Sequence, residues 1–209
     1  MIWAKTPSAL TLMGSRMLTR RLFITGALAL VAQPSLALDQ SSAKALITRL
    51  VDQINVVIDS GQSETGMYLE FEKIFKKFAD TSFIAAYAMG ADGRRATTSQ
   101  KQSFSNAFTG YLSRRYGARF REFIGGRLEV KNVTKHKRFY EVSTTAYLRG
   151  EAPFTVSFHV SDRTGKDLFF NMYIEGVNML LSERTEIGAM LDRRRGNIDA
   201  MIADLHKAG

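Results

Sequence analysis

Catalysis or metal binding needs side chains that can carry a proton, attack a carbon or coordinate an ion, and this chain is sparing with them. Its 209 residues include three His, no Cys, 20 Asp+Glu and 29 Lys+Arg. The missing Cys excludes a disulfide scaffold, a thiolate metal site and a dithiol redox pair. His136 lies in the basic run from Lys135 to Arg138, His159 takes the polar parity of a strand-like alternation, and His206 falls near the C-terminus. Each reads as a solvated imidazole, neither ligand nor base. There is no His-Glu-x-x-His, no Gly-x-Ser-x-Gly and no Walker-type loop. Glu175, beside Gly176 at the end of a strand pattern, is the one carboxylate placed to act as a base in a pocket. Its parity is that of the solvated face, so the reading is a turn anchor paired with an Arg such as Arg184. Gly90-Ala91-Asp92-Gly93-Arg94-Arg95 has the composition of a phosphate cradle, but a lone Gly-x-x-Gly between helices reads as a plain turn. No catalytic residue, metal site or cofactor follows from these residues.

Three basic clusters, Arg114-Arg115, Lys135 to Arg138 and Arg193 to Arg195, raise the question of nucleic acid. They sit on three separate elements, whereas an electrostatic footprint for a polyanion is one stripe. The first 37 residues also hold Lys5, Arg16, Arg20 and Arg21 without a single acid, so the net charge of +9 falls to +5 once they are set aside. That argues against a nucleic-acid partner. Solvated faces are the plain reading, with contact to anionic head groups or to an acidic partner the alternative.

The same 37 residues read as an export signal. Basic residues precede an apolar run from Leu22 to Ala32, then Gln33-Pro34 and the small-residue pattern Ser35-Leu36-Ala37. This is the order of a secretory leader cut after Ala37, and the run is too short to span a bilayer of ~30 Å. Thr19-Arg20-Arg21-Leu22-Phe23-Ile24 also resembles a twin-arginine signal, so both export routes stay open. Either route puts residues 38–209 outside the cytoplasm, in a periplasm, as one domain.

The elements that must position any site follow from periodicity. Leu46, Ile47, Leu50, Ile54, Val57 and Ile58 form one helical stripe, and Tyr68, Phe71, Ile74, Phe75 and Phe78 a second. Asp80 predicts the cap of a third helix ending at Gly90. Thr97 and Gln100 make a capping-box pattern for a fourth, through Phe104, Phe108, Tyr111, Leu112, Tyr116, Phe120 and Phe123 to Gly125-Gly126. Its rings spread over nearly half the circumference, which predicts something large to cover. From Arg127 the period drops to 2. Leu128 and Val130 open it; Tyr140, Val142, Ala146 and Leu148 share one face, Phe154, Val156, Phe158 and Val160 the next, and Leu168, Phe170, Met172 and Ile174 the last. Val177, Leu180, Leu181, Ile187 and Met190 then predict a helix, and Ile198, Met201, Ile202 and Leu205 another. The expected architecture is α+β: N-terminal and C-terminal helices packed on one face of a four-stranded antiparallel sheet whose other face is solvated. Past residue 37 the chain carries 13 Phe, 7 Tyr and 6 Met with no Trp. An apolar cavity between sheet and helices is one use for that surplus, a dense core the other.

The C-terminal half carries a resemblance. Met172-Tyr173-Ile174-Glu175-Gly176-Val177-Asn178-Met179-Leu180, followed by Arg184 and by Ile198-Asp199-Ala200-Met201-Ile202, is similar to the MlaC, or toluene-tolerance, family of periplasmic phospholipid-binding proteins. Asp80, Met89-Gly90, Ala96-Thr97, Gln100 and Phe104 fall at matching positions upstream. The chain departs from the family's aromatics near Gly93 and Asp167, and has Glu183 where the family has Tyr. The resemblance implies a carrier that holds a phospholipid by its acyl tails and shuttles it between an inner-membrane ABC transporter complex and an outer-membrane lipoprotein complex, with no catalysis. The departures keep a hopanoid-like polycyclic lipid open as cargo. Two other classes compete: a small isomerase-like enzyme using Glu175 or His159 in the same pocket, and an adaptor whose aromatics are only core. Combined with the periodicities, the lipid-binding wall is expected from Phe104, Phe108, Tyr111 and Leu112 on the aromatic helix, from Val142, Ala146, Leu148, Phe154, Val156, Phe158, Phe170, Met172 and Ile174 on the sheet, and from Val177.

Overall fold

Each helix begins where a short polar side chain can take up a free backbone N–H. The computed structural model describes residues 38–120 and 124–209; the predicted export segment, residues 1–37, and Phe123 of the aromatic helix lie outside the described residues. Helix α1 (Gln40–Ile58) opens on a reciprocal box between Asp39 and Ser42. Helix α2 (Glu64–Phe78) is capped by Ser63 and α3 (Thr81–Met89) by Asp80. At α4 (Thr98–Phe120) the Thr97 hydroxyl accepts from the Gln100 amide at 3.1 Å while the Gln100 side chain accepts from Thr97 N at 3.0 Å, as the sequence pattern predicts. Asn178 and Asn197 cap α5 (Met179–Arg193) and α6 (Ile198–Leu205). None of the described helices is long and apolar enough to cross a membrane.

Between α4 and α5 runs an antiparallel meander of five strands in sequence order, β1 (Arg127–Lys135), β2 (Tyr140–Tyr147), β3 (Phe154–Ser161), β4 (Leu168–Ile174) and β5 (Val177–Asn178). The fifth strand corrects the four-stranded expectation. Glu175 and Gly176 both have positive φ, 49° and 80°, the signature of a two-residue turn whose twist suits a hairpin, so Ile174 pairs with Val177. Val177 therefore sits on a sheet edge, 55% exposed, instead of in the first turn of α5.

The alternation in β2 is as expected, with Tyr140, Val142, Thr144 and Ala146 buried in turn and Leu148 just beyond. Thr144 is the polar member of that face, and its hydroxyl donates to the Val156 carbonyl at 2.9 Å. In β4 the alternation breaks. His159 pairs with Asn171 but Val160 pairs with Phe169, so Phe170 is the extra residue of a bulge. The bulge turns Phe169 inward, 4% exposed, and Phe170 outward.

Of the six α-helices among the described residues, three make the main contacts with the sheet. Helix α1 crosses β1, β2 and β3, while α3 and α5 lie against β4. Helix α4 is surrounded by α2, α3 and α6. That accounts for its broad aromatic surface: a helix with neighbours on several sides needs more than one apolar stripe.

The outer face is drier than expected. His159 is half-buried, its ring 4.4 Å from Phe139 and 4.9 Å from Tyr173, and burial lowers its pKa. Outward-facing Phe170 joins the group at 5.7 Å from Phe139 and 5.7 Å from Phe83. The Arg163 guanidinium lies 3.6 Å from the Phe83 ring centre and 4.3 Å from that of Phe170, and pairs with Asp80 at 3.3 Å. His136 stacks on Phe139 and pairs with Glu141 at 3.2 Å; His206 is exposed.

Candidate functional site

Between the inner face of the sheet and helices α1, α2 and α4 the core does not close. A cavity of about 400 Å³ lies there. The sheet supplies Leu128, Leu148, Phe154, Val156, Phe158, Phe169, Met172 and Ile174; α1 supplies Leu50 and Ile54; α2 supplies Phe71, Ile74 and Phe75; α4 supplies Leu112, Ser113, Tyr116 and Gly117. Glu151, Ala152 and Glu175 complete the lining at the turns, where both carboxylates are exposed. Ser113 does not make the wall polar, because its hydroxyl donates back to the Thr109 carbonyl at 3.0 Å.

Seven of the residues expected at the wall line this cavity: Leu112, Leu148, Phe154, Val156, Phe158, Met172 and Ile174. The other seven do not. Phe104, Phe108 and Tyr111 stack on one another, with centroids 5.2 and 5.9 Å apart, inside the core on another side of α4. Val142 and Ala146 are fully buried in the sheet away from the void. Phe170 is turned out by the bulge and borders only the smaller neighbouring void, and Val177 stands on the exposed edge.

Conversely, α1 and α2 contribute five lining residues whose stripes mark them as inward-facing without saying that they face a void. Gly117 had a legible signal, a glycine deep inside an aromatic helix. A methyl group there would stand 2.6 Å from Cδ1 of Tyr68, so this glycine lets α2 and α4 approach beside the cavity.

Glu183, on α5, was not singled out for chemistry, yet it is a buried carboxyl next to the site, off the lining of the cavity itself. It is 2% exposed. Its Oε1 accepts from the Tyr116 hydroxyl at 2.5 Å and pairs with Arg115 Nε at 3.1 Å. The Tyr111 phenol also faces this carboxyl, but Oε2 receives no hydrogen bond. Burial raises the Glu183 pKa, against the opposing pull of Tyr116 and Arg115, and burial beside this carboxyl raises the Tyr116 pKa as well. A folded-state carboxyl pKa above the unfolded ~4.3 means that the fold favours the protonated form. Its contribution is therefore full below pH ~4.3 and is lost as pH rises towards the folded value. The unfolding free energy of Glu183→Gln relative to wild type should accordingly increase with pH above about 4.3 and then level off. Chemical denaturation at a series of pH values checks this, and a difference that does not vary with pH would refute the raised pKa.

The other expected chemistry is used structurally. Glu175 forms no ion pair among the described residues; Arg184 instead lies over the Tyr87 ring at 5.2 Å and against Gly90. The Gly90 segment is a 3-10 turn in which Arg95 pairs with Asp92 at 2.8 Å. Arg114 donates to the Leu205 and Ala208 carbonyls at the end of α6, and Arg194 grips Asp204 with two bonds of 2.6 and 2.7 Å. Among the described residues no three His, Asp or Glu side chains gather where an ion could be held.

A fold of this kind occurs in the phospholipid-binding protein from Ralstonia solanacearum, solved in complex with a phospholipid. The two share 19% sequence identity at a TM-score of 0.66, over 78% of this chain and 98% of that one. No curated protein sequence matches significantly. The model of the MlaC protein family matches residues 45–207, from the second turn of α1 to just past the last helix. The chain belongs to the MlaC family.

Proposed function

We propose that the chain is a periplasmic lipid carrier, which holds a hydrocarbon tail of a phospholipid in the cavity and ferries lipid between an inner-membrane ABC transporter complex and an outer-membrane lipoprotein complex. In this reading residues 1–37 are an export signal removed after Ala37, and residues 38–209 are the lipid-binding domain. The observation that carries it is the apolar cavity of about 400 Å³ between sheet and helices. Family membership and the phospholipid in the Ralstonia protein support it. At about 30 Å³ for each water-sized group, the volume takes roughly 13 of them, close to one acyl chain. Burying ~13 methylenes is worth roughly 10 kcal/mol relative to water, at about 0.8 each. A bilayer supplies nearly as much, so transfer from membrane to cavity is close to neutral while escape into water is forbidden. A carrier needs that balance and no catalyst.

Glu183 favours one other reading, an isomerase-like enzyme whose buried carboxyl works on a lipid in the same cavity. Its engagement by Arg115 and Tyr116, and the absence of any imidazole from the lining described here, argue for the carrier. Lipid extraction with chromatography and fragmentation mass spectrometry of the purified protein separates the two. Phospholipid of unaltered structure is expected, near one molecule per chain, from wild type and Glu175→Gln alike. No bound lipid would overturn the proposal. A lipid isomer of the same mass, resolved by chromatography and fragmentation, that disappears in Glu183→Gln would establish the enzyme.

A further inference from the structure

Beside the main cavity lies a small side void of about 30 Å³. Phe75, Leu112, Tyr116, Phe169 and Met172 line both, so the two voids are neighbours on either side of these side chains. Its floor includes Glu183 and Asn171. Asn171 has nothing to offer a ligand: its Oδ1 accepts from the Met172 and Leu180 amides and its Nδ2 donates to Asn178 Oδ1. Glu183 differs. Its Oε1 is occupied by Tyr116 and Arg115, and its Oε2 is the only fully buried side-chain polar atom among the described residues that has no partner. A buried acceptor without a bond is costly, and a ligand group that completes it recovers that cost on binding.

Resting on the carrier reading, we propose that Glu183 selects the cargo, favouring a lipid whose hydrocarbon part carries a hydroxyl that enters the side void and bonds to Oε2.

Three considerations fix that chemistry. The first is size: at the same roughly 30 Å³ for each water-sized group, the side void takes about one heavy atom and no chain end. The second is hydrogen-bond sense. An ionised Oε2 accepts and a protonated one donates; a hydroxyl answers both, an amide N–H only the first and a carbonyl only the second. The third is charge. Arg115 already balances the carboxylate, and an ammonium would have to shed its water to cross the apolar cavity, so an amine head group does not suit the side void.

The test presents the purified protein with mixed vesicles of distearoyl phosphatidylcholine and analogues bearing one hydroxyl at carbon 6, 9 or 12 of one chain. Captured lipid is then quantified by mass spectrometry against the vesicle composition. Enrichment of about tenfold is expected at one hydroxyl position and little at the others, since the side void lies beside the tail at one depth. Glu183→Leu should lose the enrichment while still capturing the plain lipid. Equal capture of all four lipids by wild type would overturn the hydroxyl proposal and leave the carrier standing. Enrichment retained in folded Glu183→Leu would overturn the assignment to this residue. Capture of none would overturn the carrier reading and this proposal with it. If the Leu variant does not fold, the positional series on wild type still decides.

Discussion

A Val156→Asp protein is expected to fold and to lose nearly all bound lipid. Val156 occupies the middle of β3, is buried, and lines the cavity. Its backbone is held on both sides, by Thr144 of β2 and Ile174 of β4, and the Thr144 hydroxyl bonds to its carbonyl whatever side chain it carries. In the empty protein a carboxylate at 156 can keep water around it inside a cavity of about 400 Å³. A lipid tail cannot enter without stripping that water, at an effective cost of several kcal/mol. Since each 1.4 kcal/mol is tenfold, affinity should fall at least about a hundredfold. Val156→Thr, with the same outline and a neutral hydroxyl, should lose much less. Circular dichroism reports the fold and mass spectrometry the lipid. A folded Asp variant with a wild-type complement of lipid would place the tail elsewhere.

Most of the architecture was legible because it rests on local rules. The caps at Asp80 and Thr97 are side-chain hydrogen bonds within four residues, and the strand faces of β2 and β3 follow from pleat parity alone. The errors fall where one residue changes the count. The bulge at Phe170 exchanges the faces of two neighbouring Phe residues, and a run of Leu168-Phe169-Phe170 looks the same to a period of 2 in either register. The two-residue turn at Glu175-Gly176 adds β5 because a Glu adopts a positive φ that favours Gly or Asn, which composition does not announce.

The site was legible only in part, for a different reason. Periodicity says which side chains face inward, and a wall residue and a core residue are alike in that respect. Val142 and Val156 both belong to inward-facing patterns, yet only Val156 borders the void. Glu183 was visible as an unusual residue in the family pattern, but its burial depends on Tyr116, 67 positions earlier in the chain. No window along the sequence contains both.

Helix α4 turns this distinction into a second large effect. At 100° per residue, Phe104, Phe108 and Tyr111 cluster on one side, whereas Leu112, Ser113, Tyr116 and Gly117, which meet the cavity, centre roughly 140° away. Phe104, Phe108 and Tyr111 thus pack in the core, and the cavity is bordered by residues on another flank of the helix. Phe108 is 1% exposed and stacks between Phe104 and Tyr111. Phe108→Ala should destabilise the fold by about 3–5 kcal/mol, the transfer free energy of the ring plus the hole it leaves. For a domain of this size that is a fall in Tm of roughly 10 °C. Lipid bound per folded molecule should remain at the wild-type value, because nothing at the wall has changed. Thermal unfolding and lipid quantification on the same preparation test both halves. Loss of lipid from a protein that stays folded and stable would show that the stack itself forms the binding wall.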